Sequence, residues 1–308
     1  MITKSSKIYI AGHKGMVGSA INRKLQSLNY TNIIFRSRKE LDLLNKDDVN
    51  NFLKEENPEY IFIAAAKVGG IKANSNNQAE FLYENLTIQN NIIHSAFRQN
   101  INKLMFLGSS CIYPKNAPQP LKEDYLLTSP LEKTNEGYAI AKIAGIKLCE
   151  YYNKQYKKKY VAVMPTNLYG PNDNYDLNNS HFYPALISKI HEAKVKKKKF
   201  INIWGNGKPL RELLYVDDLA DACEFFLKKK TNHTLINIGS GEEKTILGFA
   251  KFIIKKLNID IKIKFDTKKP NGTPRKRLNM NIAKSYGWKS KIDLETGFDL
   301  TYKDFLNR

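Results

Sequence analysis

Three features of the 308-residue sequence predict an α/β chain: a doubly wound parallel sheet followed by a smaller α/β part. β-rich and helix-like segments alternate through the first 170 residues. Two runs, Tyr60–Ala66 and Lys103–Leu107, are almost wholly apolar, which suits strands covered on both faces. A glycine-rich turn, Gly12 to Gly18, joins the first strand-like run to the first helix-like one. Strands alternating with helices at this pitch imply parallel pairing with helices on both faces.

The elements follow in order. Lys7–Ala11 is a short strand, and Met16–Leu28 has helical spacing with Val17, Ile21, Leu25 and Leu28 apolar. Ile33–Phe35 is a second strand. Asp47–Glu55 is a helix that Pro58 ends. Tyr60–Ala66 is the third strand, Ala79–Gln99 a long helix, and Lys103–Leu107 the fourth strand. Gly137–Gln155 is a further helix and Tyr160–Met164 a strand before Pro165. Past Gly170-Pro171 the texture changes: Asn172–Ser180 is polar and loop-like, and the rest mixes short helices and strands. Residues 1–172 are expected to form one domain and 173–308 mainly a second, with the stretch near 214–230 returning to the first.

Composition narrows the function. With 42% hydrophobic and 26% charged residues, the chain is neither disordered nor fibrous. No apolar run reaches the roughly 18–20 residues that a membrane-spanning helix needs. Met1–Lys7 is short and polar with no signal-peptide pattern, and Cys111, Cys149 and Cys223 form no paired framework. The expected setting is the cytoplasm. The formal net charge of +20 invites a polyanionic partner. Its lysine runs (157–159, 196–199, 228–230, 268–269) are scattered and not interleaved with aromatics. They suit a solvated surface that favours small anionic ligands, and no nucleic acid is expected.

The turn Gly12-His13-Lys14-Gly15-Met16-Val17-Gly18 follows a strand and opens a helix. Glycine there allows a tight turn and brings backbone N–H groups to a pyrophosphate at the helix N-terminus, the arrangement of a Rossmann-type nucleotide site. An NAD site places a carboxylate at the end of the second strand. Here the strand ends Phe35-Arg36-Ser37-Arg38, with no carboxylate before Glu40, and Lys14 adds a cation. These donors suit a 2′-phosphate, so NADPH/NADP+ is expected. The alternative is that one or both arginines simply face solvent, and Arg36 alone suits that equally well.

Tyr138 and Lys142 stand i, i+4 on one helix face. A neighbouring ammonium stabilises a phenolate, which brings a tyrosine toward acid/base work. Such a pair is common on helices. It gains meaning beside the glycine turn and the loop Gly108-Ser109-Ser110-Cys111-Ile112-Tyr113-Pro114.

With Gly12/Gly15/Gly18, Asp42-Leu43, Ala64-Ala65-Ala66, Ser109, Tyr138/Lys142 and Asn167-Leu168-Tyr169-Gly170-Pro171, the chain resembles, from end to end, the extended short-chain dehydrogenase/reductases that act on nucleotide sugars, the NAD-dependent epimerase/dehydratase family. Further segments are similar to the branch that converts GDP-4-keto-6-deoxy-D-mannose to GDP-L-fucose by 3,5-epimerisation and 4-reduction. They are Gly12–Ala20, Ala65-Ala66-Lys67-Val68-Gly69-Gly70-Ile71, Ser109–Lys115, Tyr138–Gly145 and Pro165–Pro171. Lys14 departs from an arginine common in that branch, which keeps the cation and loses the fork.

The resemblance implies roles. Ser109, four residues before Tyr113, polarises the substrate carbonyl, and Tyr138 and Lys142 serve its reduction. Ser110 and Cys111 stand where related dehydratases carry an Asp-Glu pair. A lone cysteine ordinarily packs, as Cys149 and Cys223 are expected to do. The resemblance makes Cys111 the base of the epimerisation and His181 the acid. Cofactor contacts are implied at Gly12, His13, Lys14, Gly15, Met16, Val17, Gly18, Arg36, Arg38, Asp42, Leu43, Ala65, Leu107, Gly108, Ser109, Tyr138, Lys142, Pro165, Asn167, Leu168 and His181. Lys189, Trp204, Arg211 and Asn271 are implied to hold the GDP-sugar, although a tryptophan at 204 equally suits a core. No metal ligand set is expected. The branch pairs subunits through a four-helix bundle, which here implies a homodimer through Ala79–Gln99 and Gly137–Gln155. Two other readings remain: a nucleotide-sugar 4-epimerase with bound NAD, against which Arg36, Arg38 and Cys111 stand, and a catalytically silent NADP-binding module, against which Ser109, Tyr138 and Lys142 stand.

Overall fold

A computed structural model describes residues 2–177 and 179–308. Met1 and Asn178, which fall in the polar N-terminal segment and the polar linker of the sequence reading, lie outside the described residues.

The first half alternates as the sequence pattern requires. Its elements are β1 (Ile8–Ala11), α1 (Met16–Ser27), β2 (Ile33–Ile34), α2 (Lys46–Glu56), β3 (Tyr60–Ile63), α3 (Ile71–Asn76), α4 (Gln78–Arg98), β4 (Lys103–Leu107), α5 (Glu136–Tyr156) and β5 (Lys159–Pro165). Then come β6 (Asn167–Tyr169), α6 (Phe182–Val195), β7 (Phe200–Trp204), β8 (Leu210–Tyr215), α7 (Val216–Lys228) and β9 (Leu235–Ile238). The chain ends with β10 (Glu243–Thr245), α8 (Ile246–Lys256), β11 (Lys262–Asp266), β12 (Arg275–Lys276), α9 (Asn281–Ser285) and α10 (Leu294–Leu306).

The main sheet has the order β2-β1-β3-β4-β5-β9, and every pairing is parallel. Every residue of β1 and β3 is buried, as an apolar strand sandwiched between helices must be. Strand order reverses beside β1, so a crevice opens at the C-terminal ends of β1 and β3, where ligands bind in such sheets.

Local signals set the helix ends. Asn45 caps α2 by accepting from the Asp47 and Asp48 amides, and Asn57, in the left-handed region, stops it before Pro58. The apolar run from Tyr60 leaves the sheet after Ile63. Ala64 still bonds the Ala11 carbonyl, and the Ala64–Ala65 backbone then lies against the glycine turn. The short helix α3 carries no clear periodicity of its own. The buried Asn74 holds it by donating to the Gly69 and Gly70 carbonyls at 2.7 and 3.1 Å.

Past residue 172 the chain serves two cores. Helix α7 lies on α1 through Arg23–Asp217 and Lys24–Asp221 ion pairs, and β9 extends the main sheet beside β5. The second core gathers Tyr169, Tyr183, Leu186, Ile187, Phe249, Ile253 and Phe298. Over it β8 pairs with β6, β10 and β12, and β7 pairs with β11. No helix among the described residues is long and apolar enough to cross a membrane.

Candidate active site

The glycine turn sits at the end of β1. Gly12 has φ +86°, and a Cβ there would lie 2.6 Å from the Ala65 nitrogen. A Cβ at Gly18 would lie 2.2 Å from the Gly12 carbonyl oxygen. Both positions exclude any side chain, and the result is a bare backbone cradle. Gly15 caps α1 with no side-chain hydrogen bond, and the first turn, starting at Met16-Val17, holds no acidic residue. The helix N-terminus therefore keeps its positive partial charge for a phosphate.

His13 shapes the rim by stacking on Phe35, with centroids 4.4 Å apart. Partial burial, followed by the Lys14 charge, lowers its pKa. The cations expected near the second strand divide. Arg36 donates to Glu56 at 2.6 Å and to the Phe35 carbonyl, so a carboxylate already holds its fork. Arg38 and Lys14 are exposed and make no hydrogen bond or ion pair among the described residues. Asp42 accepts from the Leu44 amide, and the Leu43 carbonyl accepts from Asn91 on α4, which fixes this loop beside the sheet.

The catalytic candidates converge beyond β4. The Leu107 carbonyl accepts from Lys142 Nζ at 2.8 Å, and a Cβ at Gly108 would collide with Met164. Ser109 Oγ accepts from the Cys111 amide at 3.4 Å and opens a single 3₁₀ turn, Ser110–Ile112. Cys111 is 5% exposed. Helix α5 brings Tyr138 and Lys142 over this turn, with Lys142 Nζ 5.7 Å from the Tyr138 ring centroid and 4.6 Å from that of Phe106. Phe81 of α4 holds the Tyr138 ring edge-on.

Burial governs the protonation of this group. It pushes the Tyr138 phenol well above its ordinary value, and a Cys111 thiolate would push it further. It pushes Lys142 down to about 8. It also raises the Cys111 thiol, against the pull of Lys276, the Ser109 hydrogen bond and Lys142. His181 stands at the N-cap of α6 without a side-chain capping bond, and desolvation, followed by the Lys276 charge, lowers its pKa. Burial thus favours a neutral phenol and a neutral thiol beside an ammonium.

The segment Lys67–Ile71 positions His181. The Gly70 amide donates to the Asn179 carbonyl, and a Cβ at Gly70 would lie 2.4 Å from the Ser180 carbonyl oxygen. The paired glycines let the backbone just before His181 pass in contact. Pro165, Asn167 and Leu168 lie at the end of β5 and in β6, with Asn167 donating to the Glu212 carbonyl.

Lys189, Trp204, Arg211 and Asn271 form a second group. Trp204 is 38% exposed and is no core residue, with Lys189 Nζ 5.7 Å and Lys269 Nζ 5.4 Å from its ring. Asn271 Oδ1 accepts from the Asn206 amide, and its carbonyl accepts from the buried Arg211 at 3.5 Å. Burial lowers Arg211 to about 10, so it keeps its charge at neutral pH. Arg211 is paired in register with Lys276 across β8 and β12. Sequence reasoning assigned no role to Lys276, Lys269 or Phe81. Lys276 sits in a motif it did use but carries no signal apart from the other lysines. No cluster of metal-ligating side chains occurs among the described residues.

A glycine cradle at the switch point of a parallel sheet, with a Ser-Tyr-Lys group at the next strand end, defines a nucleotide-cofactor enzyme that works on a carbonyl or carbinol carbon. The chain belongs to the NAD dependent epimerase/dehydratase family, which it matches over residues 8–239. It is 51% identical to GDP-L-fucose synthase 1 of Arabidopsis thaliana over 306 residues, 99% of this chain and 95% of the relative. It is 48% identical to the GDP-L-fucose synthase of Escherichia coli (strain K12), over 97% of this chain and 96% of that one. A solved structure of a GDP-L-fucose synthetase from Naegleria fowleri bound to NADP superposes with a TM-score of 0.91. It covers 100% of this chain and 96% of that one at 25% identity.

Proposed function

We propose that this chain converts GDP-4-keto-6-deoxy-D-mannose to GDP-L-fucose, inverting C3 and C5 and then reducing the C4 ketone with NADPH. The observation that carries the reading is the Ser109–Cys111 turn at the C-terminal end of β4, with Lys142 bonded to the Leu107 carbonyl and lying beside the Tyr138 ring. Its full-length likeness to GDP-L-fucose synthases, about half identical, supports the substrate.

The chemistry follows from the groups present. Ser109 Oγ spends a lone pair on the Cys111 amide, which leaves its O–H to donate to the C4 oxygen. That polarisation acidifies the protons at C3 and C5. The working pair is the Cys111 thiolate and the protonated His181, reached by moving the thiol proton to the imidazole; the thiolate takes a C3 or C5 proton and His181 returns one from the opposite face. NADPH supplies the hydride for C4. Tyr138, kept protonated by burial, gives its proton to the C4 oxygen, and the Lys142 ammonium stabilises the phenolate that results.

For the cofactor, the Gly12–Gly18 cradle takes the pyrophosphate, and Lys14 and Arg38 take the 2′-phosphate. Arg36, tied to Glu56, shapes that pocket. Lys189 and Arg211 take the diphosphate, Trp204 stacks on the base, and Asn271 orders the turn at Gly205-Asn206. We divide the molecule into a cofactor part, residues 1–172 with α7 and β9, and a substrate part formed by the remainder. Exposed Tyr83, Ile140, Tyr151 and Tyr156 on α4 and α5 support a homodimer through these helices. Three free, buried cysteines suit a cytoplasmic setting.

The direct test supplies GDP-4-keto-6-deoxy-D-mannose and follows NADPH absorbance. Stoichiometric oxidation is expected. No oxidation, or NADPH consumption with a product still carrying the ketone, would sink the assignment.

A further inference from the structure

The ring of His181 makes no hydrogen bond or ion pair among the described residues, so its position follows from the backbone that carries it. On one side that backbone runs into α6, where the Ala185 amide donates to the His181 carbonyl. On the other it is held by the turn Gly69-Gly70. The Gly70 amide donates to the Asn179 carbonyl at 2.9 Å, and the Ser180 carbonyl fills the space that a Cβ at Gly70 would need. The same turn reaches toward Tyr138. A Cβ at Gly69 would lie 3.2 Å from Phe81 Cζ and 3.8 Å from the Asn179 carbonyl oxygen. Phe81 in turn stands edge-on to Tyr138, with ring centroids 6.3 Å apart. A run of contacts therefore leads from Tyr138 through Phe81 and the glycine turn to the two residues before His181.

We propose that Asn74 is a positioning residue for epimerisation: its side chain clamps the Gly69-Gly70 turn and thereby sets His181 in place relative to Tyr138. The inference rests on the proposed function and adds to it a residue outside the catalytic group. Asn74 lies on α3 and is 5% exposed. Its side-chain nitrogen donates to the Gly69 carbonyl at 2.7 Å and to the Gly70 carbonyl at 3.1 Å. Its side-chain oxygen is buried with no partner, so those two bonds are all the polar contact the side chain makes among the described residues. The peptide between Gly69 and Gly70 is one rigid plane. Its C=O accepts from Asn74, and its N–H is the one that donates to Asn179. Holding the carbonyl therefore aims the N–H. The start of the segment is held separately, because Asn85 accepts from the Lys67 amide at 2.9 Å and donates to the Lys67 carbonyl at 3.0 Å. Two successive glycines are the freest part of the segment, and Asn74 is what restrains them. Ser109 and Lys142 are anchored elsewhere, at the Cys111 amide and the Leu107 carbonyl. Return of a proton to C3 or C5 needs His181 aligned with that carbon, whereas reduction needs the hydride and Tyr138. Releasing the turn should thus separate the two halves of the reaction.

The experiment compares the wild type with Asn74→Ala and Gly70→Ala, the second of which drives a methyl group against the Ser180 carbonyl. GDP-4-keto-6-deoxy-D-mannose is supplied in deuterated water, and three quantities are read. They are deuterium uptake at C3 and C5, the ratio of GDP-L-fucose to a reduced sugar with unaltered C3 and C5, and the His181 line in a histidine-selective carbon NMR spectrum, assigned with His181→Asn. Both variants are expected to slow deuterium uptake about ten- to a hundredfold while NADPH oxidation slows far less. The share of reduced but unepimerised sugar should rise, and the His181 line should shift or split. A folded Asn74→Ala with wild-type exchange and an unmoved His181 line would overturn the proposal. Exchange and reduction falling by one common factor would also overturn it, since that marks plain destabilisation. If Asn74→Ala does not fold, Gly70→Ala decides on the same readouts. A wild type that exchanges no deuterium would refute the proposed function, while the His181 line would still report whether the clamped turn sets its position.

Discussion

Tyr138 and Lys142 share a helix face, but burial treats them oppositely: the phenol is held neutral and the ammonium is brought down to about 8. This sets a direction for pH dependence. Lys142 is cationic below about pH 8 and loses its charge above it. The phenolate left by proton transfer then loses its counter-charge, so ketone reduction should fall as pH rises through that value. The check is a pH profile of single-turnover NADPH oxidation, with Lys142→Arg expected to move the alkaline limb upward. Tyr138→Phe should slow reduction by about 10²–10⁴-fold while leaving C3 and C5 exchange measurable. Cys111→Ser should do the reverse, losing exchange while NADPH still binds. At the proposed cofactor end Arg38 has no hydrogen-bond or ion-pair partner among the described residues, and Arg36 is paired with Glu56. Arg38→Ala should therefore weaken NADPH binding about tenfold or more with little change for NADH, and Arg36→Ala should cost less. Titration of cofactor fluorescence separates the two. At this scale the glycine turn was legible because backbone sterics demand glycine at residues 12 and 18. The split between Arg36 and Arg38 was not, because Glu56 lies a full helix away in sequence.

Helices α4 and α5 meet through close approaches that the hydrophobic pattern alone does not reveal. Gln89 donates to the Ala141 carbonyl at 2.6 Å, and a Cβ at Gly145 would lie 2.6 Å from Phe106 Cζ. Gly145→Ala should thus overpack a filled core and cost about 1–3 kcal/mol, read as a lowered denaturation midpoint. The outer faces of the same helices carry Tyr83, Ile140, Tyr151 and Tyr156 exposed. Ile140→Lys is expected to convert a dimer to a monomer in light scattering; unchanged mass would place the subunit contact elsewhere. Long, strongly patterned elements such as α1, β4 and α5 were readable from periodicity. The six-residue α3 was not, since the Asn74 hydrogen bonds that hold it depend on the turn at Gly69-Gly70. Nor was β9, whose place beside β5 follows from α7 lying on α1.

For the whole molecule, the +20 charge is more specific than composition alone implied. Arg211 and Lys276 are paired in register on neighbouring strands, while Lys228, Lys256 and Lys291 spend their charge on neighbouring carboxylates. The neighbours of Lys276 come from a parallel pairing between distant strands, so no local sequence signal could single it out. The central claim is that one cleft both inverts and reduces. It is tested most directly by incubating the protein with GDP-4-keto-6-deoxy-D-mannose and NADPH in deuterated water and solving the product by NMR. The prediction is GDP-L-fucose carrying solvent deuterium at C3 and C5, formed with one NADPH consumed per product. A reduced 6-deoxyhexose with unaltered C3 and C5 and no deuterium there would contradict it.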